Sequence, residues 1–263
     1  MMGTAGKVFA YQARNVVRGR SLAGYALFLA AAAWGLVHFG GGPARALPSI
    51  ATLIVLIVPL VSLLMTTTFV YHSGDFIELL LSHPVGRRPL FAGLYIGLTL
   101  PLLCAFLLGI GLPLALGGAF SQHASDIGLL ALSGVLLTAV FTSIGFLVAL
   151  RVNDPARGGG IALLIWLALA VLYDGVVLFA AYRWSAYPLE GAMLALMALN
   201  PIDVARILII MALDASALMG YTGAVFQDFF GGTRGMLMAL SSLSLWVVAP
   251  GLLALRTFAK KDF

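Results

Sequence analysis

Six apolar stretches separated by short polar segments dominate the chain. They cover residues 21–40, 50–70, 90–116, 127–150, 161–182 and 235–255. A helix needs about 20 apolar residues to cross the hydrocarbon core of a bilayer, and all six meet that length. The first is the weakest, carrying three glycines and His38. The third holds Pro101 and Pro113, which a membrane helix accommodates as a kink or a tilt.

The polar segments between them are patterned too. In residues 5–20, Lys7, Arg14 and Arg18 fall within about 40° of one another on a helical wheel. Phe9, Ala13, Val16 and Val17 lie opposite. This is an amphipathic helix suited to a leaflet surface, ended by Gly19. It is either a generic basic anchor or a helix packed on the bundle. After the second span, residues 75–83 read as a short helix. Asp75 is placed as its N-cap, and Glu78 three residues later completes a capping box. Leu79, Leu80 and Leu81 follow, and His83-Pro84 stops it. Leucines outside the bilayer need an apolar cover, supplied by the chain's own bundle or by another subunit.

Residues 189–213 are apolar in two half-lengths. The break is Asn200-Pro201-Ile202-Asp203, a helix start with Asn as cap, Pro at the first position and Asp at the third. Two half-helices around a capped break predict a re-entrant hairpin. Tyr221, Phe226, Phe229 and Phe230 then suit the aromatic belt at the membrane surface. Residues 151–160 are a polar turn around Asn153-Asp154-Pro155.

Composition agrees. Of 263 residues, 62% are hydrophobic and 10% charged, against about 25% charged in a soluble domain. The net charge of +5 follows from topology and not from a nucleic-acid patch. With the N-terminus in the cytoplasm, inside segments hold Lys7, Arg14, Arg18, Arg20, Arg87, Arg88, Arg151, Arg157, Arg256, Lys260 and Lys261. Outside segments hold only Arg45, Arg183, Arg206 and Arg234. That asymmetry orients the chain with both termini inside. The N-terminus shows no short apolar run with a small-residue cleavage site, so no cleaved signal peptide is expected.

Candidate chemistry is sparse. Asp174, beside Tyr173, lies near the middle of the fifth span, where an ionisable group costs at least about 2.5 kcal/mol. It either lines a translocation path or bonds a neighbouring helix, and its partner is not legible. Cys104 sits alone in an apolar run, so neither an intrachain disulfide nor a Cys-rich metal site is expected. His38, His72, His83 and His123 lack ligand spacing. Met193, Met197, Met211 and Met219 gather near the hairpin, as packing residues or as soft Cu(I) ligands. Gly3-Thr-Ala-Gly-Lys7 and Gly158-Gly159-Gly160 lack the spacing and residues of a phosphate-binding loop. No hydrolase or metalloprotease motif occurs. Energised work would need an ATPase on another chain.

Three segments carry a resemblance. They are Leu79-Leu-Leu-Ser-His-Pro-Val-Gly-Arg87, Trp166-Leu-Ala-Leu-Ala-Val-Leu-Tyr-Asp-Gly-Val-Val-Leu178 and Leu199-Asn-Pro-Ile-Asp-Val-Ala-Arg206. In this order the chain resembles the ABC-2 permease family, and within it the NosY-type permeases of nitrous oxide reductase maturation. His72–Glu78 departs from that family's more acidic stretch. The resemblance implies an all-α membrane protein, a single ABC-2 type domain over residues 1–263. It has six transmembrane helices, an N-terminal elbow helix, a cytoplasmic coupling helix and an outer re-entrant hairpin. Asp75, Glu78, Leu79, Leu80, Leu81 and His83 would couple to the ATPase. Tyr173 and Asp174 would line the path, and Asn200, Pro201, Asp203 and Arg206 would build the hairpin. The chain itself would be no enzyme and hold no cofactor or metal, with ATP and Mg on the ATPase. Partners would be a second copy, two cytoplasmic ATPase subunits, a periplasmic NosD-like protein and a copper chaperone. The setting would be the bacterial inner membrane and the cargo a sulfur- or copper-related species. Rival readings are an ABC-2 exporter of lipid, drug or polysaccharide, and a scaffold or secondary transporter without an ATPase. The last would usually show internal repeats, which are absent.

Overall fold

The computed structural model describes residues 12–14, 16, 19–83, 85–183, 196–212 and 233–261. Among them all regular structure is helical. Six helices are long and apolar enough to cross a membrane: α1 (Arg20–Phe39), α2 (Pro43–His72), α4 (Arg87–Leu116), α5 (Phe120–Arg151), α6 (Pro155–Arg183) and α8 (Thr233–Lys260). Two are short, α3 (Gly74–Leu81) and α7 (Pro201–Ala212).

Five of the six long helices outrun the apolar stretches that predict them, α1 alone keeping to its length. Their backbone ladders continue into polar flanks, because helical hydrogen bonding does not depend on lipid. Local chemistry sets several starts. Pro43 opens α2 and Pro155 opens α6, where a missing N–H costs nothing. Asp154 caps α6, its Oδ1 accepting from Ala156 N at 2.8 Å and Arg157 N at 3.3 Å. The segment read as a turn is thus a helix start.

α5 is the central post. It packs along α2 and α8, and also meets α4 and α7. The α2–α5 crossing is close because Gly145 has no side chain. A Cβ there would stand 2.7 Å from Thr66 Cβ, so the backbones approach as small residues allow between membrane helices. α1 leans on α4 at the edge.

One end of the bundle carries the basic residues and is stitched shut. Tyr71 OH donates to Val152 O at 2.9 Å, and Arg87 Nη1 donates to the carbonyls of Ala259 and Lys261 at 3.1 and 2.6 Å. Lys261 Nζ donates to Leu150 O and Asn153 Oδ1, both at 3.0 Å. Above this layer Phe91, Tyr95, Phe146 and Phe258 form an aromatic cluster, with centroids 5.5 Å apart in three pairs. These contacts join α2, α4, α5 and α8 into one body.

Of the amphipathic N-terminal helix expected over residues 5–20, residues 12–14 and 16 are described, and they are helical. Gly19 is extended, with ψ 127°, and separates them from α1 as expected. The remainder, the first half of the predicted hairpin up to residue 195, and the aromatics at 221–230 lie outside the described residues.

Candidate functional site: a broken span joined to a capped helix

α6 is not one uniform helix. Residues Ala168–Leu172 form a π turn between two α-helical halves, Pro155–Leu167 and Tyr173–Arg183. A π turn widens the backbone ladder and is common at functional sites. Here Leu169 O accepts a hydrogen bond from Asn200 Nδ2 at 2.8 Å, a partner outside the helix.

Asn200 is the start of α7, as its sequence predicts. Its carbonyl accepts from Val204 N at 3.0 Å, and its Oδ1 accepts from Ile202 N at 3.1 Å. Pro201 takes the first helical position. The side-chain amide also donates to Asp203 Oδ2 at 3.0 Å. Asn200 is fully buried, so each of these bonds replaces a lost water contact.

Arg206, one turn further on, is the partner that the sequence does not reveal for Asp174. Its Nη1 lies 2.9 Å from Asp174 Oδ2 and 3.1 Å from Asp203 Oδ1. One guanidinium therefore ties a span to the short helix. Tyr173 OH donates to Leu196 O across the same junction, and Ser242 Oγ on α8 donates to Ala198 O at 2.9 Å. The structure gathers Tyr173, Asp174, Asn200, Pro201, Asp203 and Arg206 into one cluster. Nothing local could foretell the Asp174–Arg206 pair, since 32 residues separate the two.

Exposure divides the cluster. Asp203 is buried, whereas the Asp174 and Arg206 side chains remain 41% and 36% exposed. Asp174 lies nine residues from the end of α6 at Arg183, about 13 Å along the axis. It thus falls in the half of α6 away from the basic end. A charged pair at such depth is not tolerated against lipid, so it faces protein or water. Among the described residues no group of three His, Cys, Asp or Glu side chains is placed to hold a metal ion. Of the methionines expected near the hairpin, Met193 and Met219 lie outside the described residues.

At the basic end, α3 begins one residue earlier than expected. Ser73 ends α2 and starts α3, and no side chain caps the helix. Asp75 is therefore in the first turn and not the N-cap, because the two helices run on through a single shared residue. It still lies where a carboxylate favours a helix N-terminus. α3 ends at Leu81, with His83 Nδ1 3.0 Å from Leu79 O. The leucine cluster splits. Ile77 is buried, Leu80 and Leu81 lean on the core, and Leu79 is 60% exposed beside exposed Asp75 and Glu78.

Comparison with known proteins agrees with this architecture. The chain is 30% identical over 199 residues to the "Probable ABC transporter permease protein NosY" of Stutzerimonas stutzeri, covering 72% of this chain and 71% of that one. It is 32% identical over 206 residues to the protein of the same name from Pseudomonas aeruginosa, covering 75% and 74%. The profile of the ABC-2 family transporter proteins matches residues 12–263. Spanning nearly the whole chain, that match and the six apolar helices place it plainly: the chain belongs to the ABC-2 family of transporter proteins, as a NosY-like permease.

Proposed function

We propose that two copies of this permease face each other across a path lined by the outer half of α6, and that ATP-driven motion at the basic end opens it. The observation that carries this reading is the Asp174–Arg206 pair, charged, half-exposed and deep in an apolar span. A second copy across a wet path gives it a setting that lipid does not.

The basic end then faces the cytoplasm of the bacterial inner membrane, with both termini inside. Two ATPase subunits carrying ATP and Mg dock there, on the exposed face of α3. Leu79 is the apolar contact, and Asp75 and Glu78 supply charge at its rim. The relationship to NosY supports a cargo that is sulfur- or copper-related and destined for the copper centre of nitrous oxide reductase. A NosD-like periplasmic protein and a copper chaperone would act on the far side. Export of lipid, drug or polysaccharide is the competing outcome.

Docking and cargo are tested together. Glu78→Lys with Leu79→Asp is expected to leave insertion and dimerisation intact while the co-purified ATPase falls more than tenfold. A permease that becomes unstable yet keeps its ATPase would assign these residues to the core instead. In a strain lacking its own NosY-type permease, the wild-type chain is expected to restore the copper–sulfur centre of nitrous oxide reductase. A fully formed centre without any such permease overturns the cargo.

A further inference from the structure

Between α4 and α8, near the basic end, a groove of about 330 Å³ opens sideways on the bundle. Its walls are Phe91, Ala92 and Ile96 from α4 and Val248, Leu252 and Leu255 from α8. Tyr95 also lines it, but its hydroxyl is engaged within the bundle, 2.8 Å from Ser143 Oγ and 3.3 Å from Ala139 O. Among the described residues no acidic side chain contributes, and the one charged lining residue is Arg88, at the groove's basic end.

Arg88 differs from its neighbour. Arg87 is engaged by two backbone carbonyls of the C-terminal segment. Arg88 is exposed and has no hydrogen bond or ion pair among the described residues. Its guanidinium suits bidentate binding of a phosphate.

The dimensions fit a lipid. Arg88 to Ile96 on α4 and Val247 to Leu255 on α8 each advance eight residues, about 12 Å. One leaflet contributes about 15 Å of hydrocarbon, half the bilayer core. The groove therefore holds most of one acyl chain, with a cation where the headgroup lies. Basic pockets between membrane helices on the cytoplasmic side bind anionic headgroups in this way.

We propose that this groove is a binding site for one anionic phospholipid of the leaflet at the basic end, acyl chain between α4 and α8 and phosphate on Arg88. Calling that leaflet cytoplasmic rests on the orientation proposed above. Labelling of Ser82→Cys from the inner side tests the orientation separately, since lipid retention does not depend on it.

The test is native mass spectrometry of the full chain after exchange with phosphatidylglycerol and phosphatidylcholine of identical acyl chains. Wild type is expected to retain one phosphatidylglycerol per chain in clear preference. Arg88→Gln should lower that preference about tenfold. Lys260→Gln, at the same end but outside the groove lining, should leave it unchanged. Ala92→Phe should reduce retention of both lipids, and Val248→Phe fills the groove from the other wall if the first variant folds poorly. Equal retention of both lipids by wild type, an unchanged preference in Arg88→Gln, or an equal loss in Lys260→Gln overturns the site. So does a disulfide between two copies through Ala92→Cys, which would make the groove a protein interface.

Discussion

The two halves of α6 are held by different kinds of force. The half at the basic end, Pro155–Leu167, the inner half in the proposed orientation, is fastened to α2. Trp166 Nε1 donates to Leu56 O at 3.0 Å, and Gly158 lies so close to Tyr71 that a Cβ there would stand 1.8 Å from the hydroxyl. Tyr71 in turn bonds the loop that begins α6. The outer half, Tyr173–Arg183, is tied by polar side chains to α7 and the residues before it. The π turn stands between them. One half belongs mechanically to the stitched basic end, the other to the capped helix at the far end. A span divided in this way can pass motion between its ends without moving as a rigid rod.

Glycine substitutions should break this contrast most severely. Gly158→Leu forces Tyr71 away and is expected to cost at least about 1–3 kcal/mol through overpacking, with loss of the Val152 bond besides. Gly175→Leu, in the outer half, meets nothing within 4 Å and is expected to leave thermal unfolding in detergent unchanged. Equal sensitivity at both positions would refute the division.

Removing charge should act in the opposite half and on a different readout. Arg206→Gln leaves Asp174 and Asp203 without their shared cation. Substrate-linked ATP hydrolysis is expected to fall about tenfold or more with assembly preserved. Asp174→Asn should be milder, because Arg206 keeps Asp203. A double-mutant cycle on Asp174 and Arg206 should give a coupling of about 0.5–3 kcal/mol, against nearly none for Asp174 with Trp166. A milder Arg206 variant would mean that the guanidinium is not the junction.

The smallest effect is expected from Trp166→Phe. It removes one hydrogen bond of the inner half, worth about 1 kcal/mol, and should lower the unfolding temperature slightly while leaving ATP coupling intact. A coupling defect would show that Trp166 belongs to the moving part.

Much of this was legible in the sequence, and the exceptions have physical causes. The six spans follow from apolar length alone. Their ends do not, because the ladders of α2 and α5 extend through Pro43–Pro48 and Phe120–Asp126, where proline, charged and polar residues interrupt the apolar run that marks a span. Asn200-Pro201 announced the start of α7, since capping is local chemistry. Asp174 announced itself by its cost in lipid. Its partner did not, because Arg206 reaches it only through the tertiary fold. The π turn is equally silent, since Ala168–Leu172 is an ordinary apolar run. Asp75 misled as a cap because α2 and α3 share Ser73, a continuity that no capping pattern encodes.

The central claim is that the outer half of α6 faces its counterpart in a second copy. Val171 and Leu178 flank Asp174 by one turn on either side, and both are exposed. In the assembled transporter, with Cys104→Ser as background, a bifunctional thiol crosslinker long enough to span a wet path is expected to link two copies through Val171→Cys and through Leu178→Cys. Leu108→Cys, exposed on α4, is expected to yield no linked dimer. Dimers through Leu108 but not through α6, in a complex that retains its ATPase, would contradict the account.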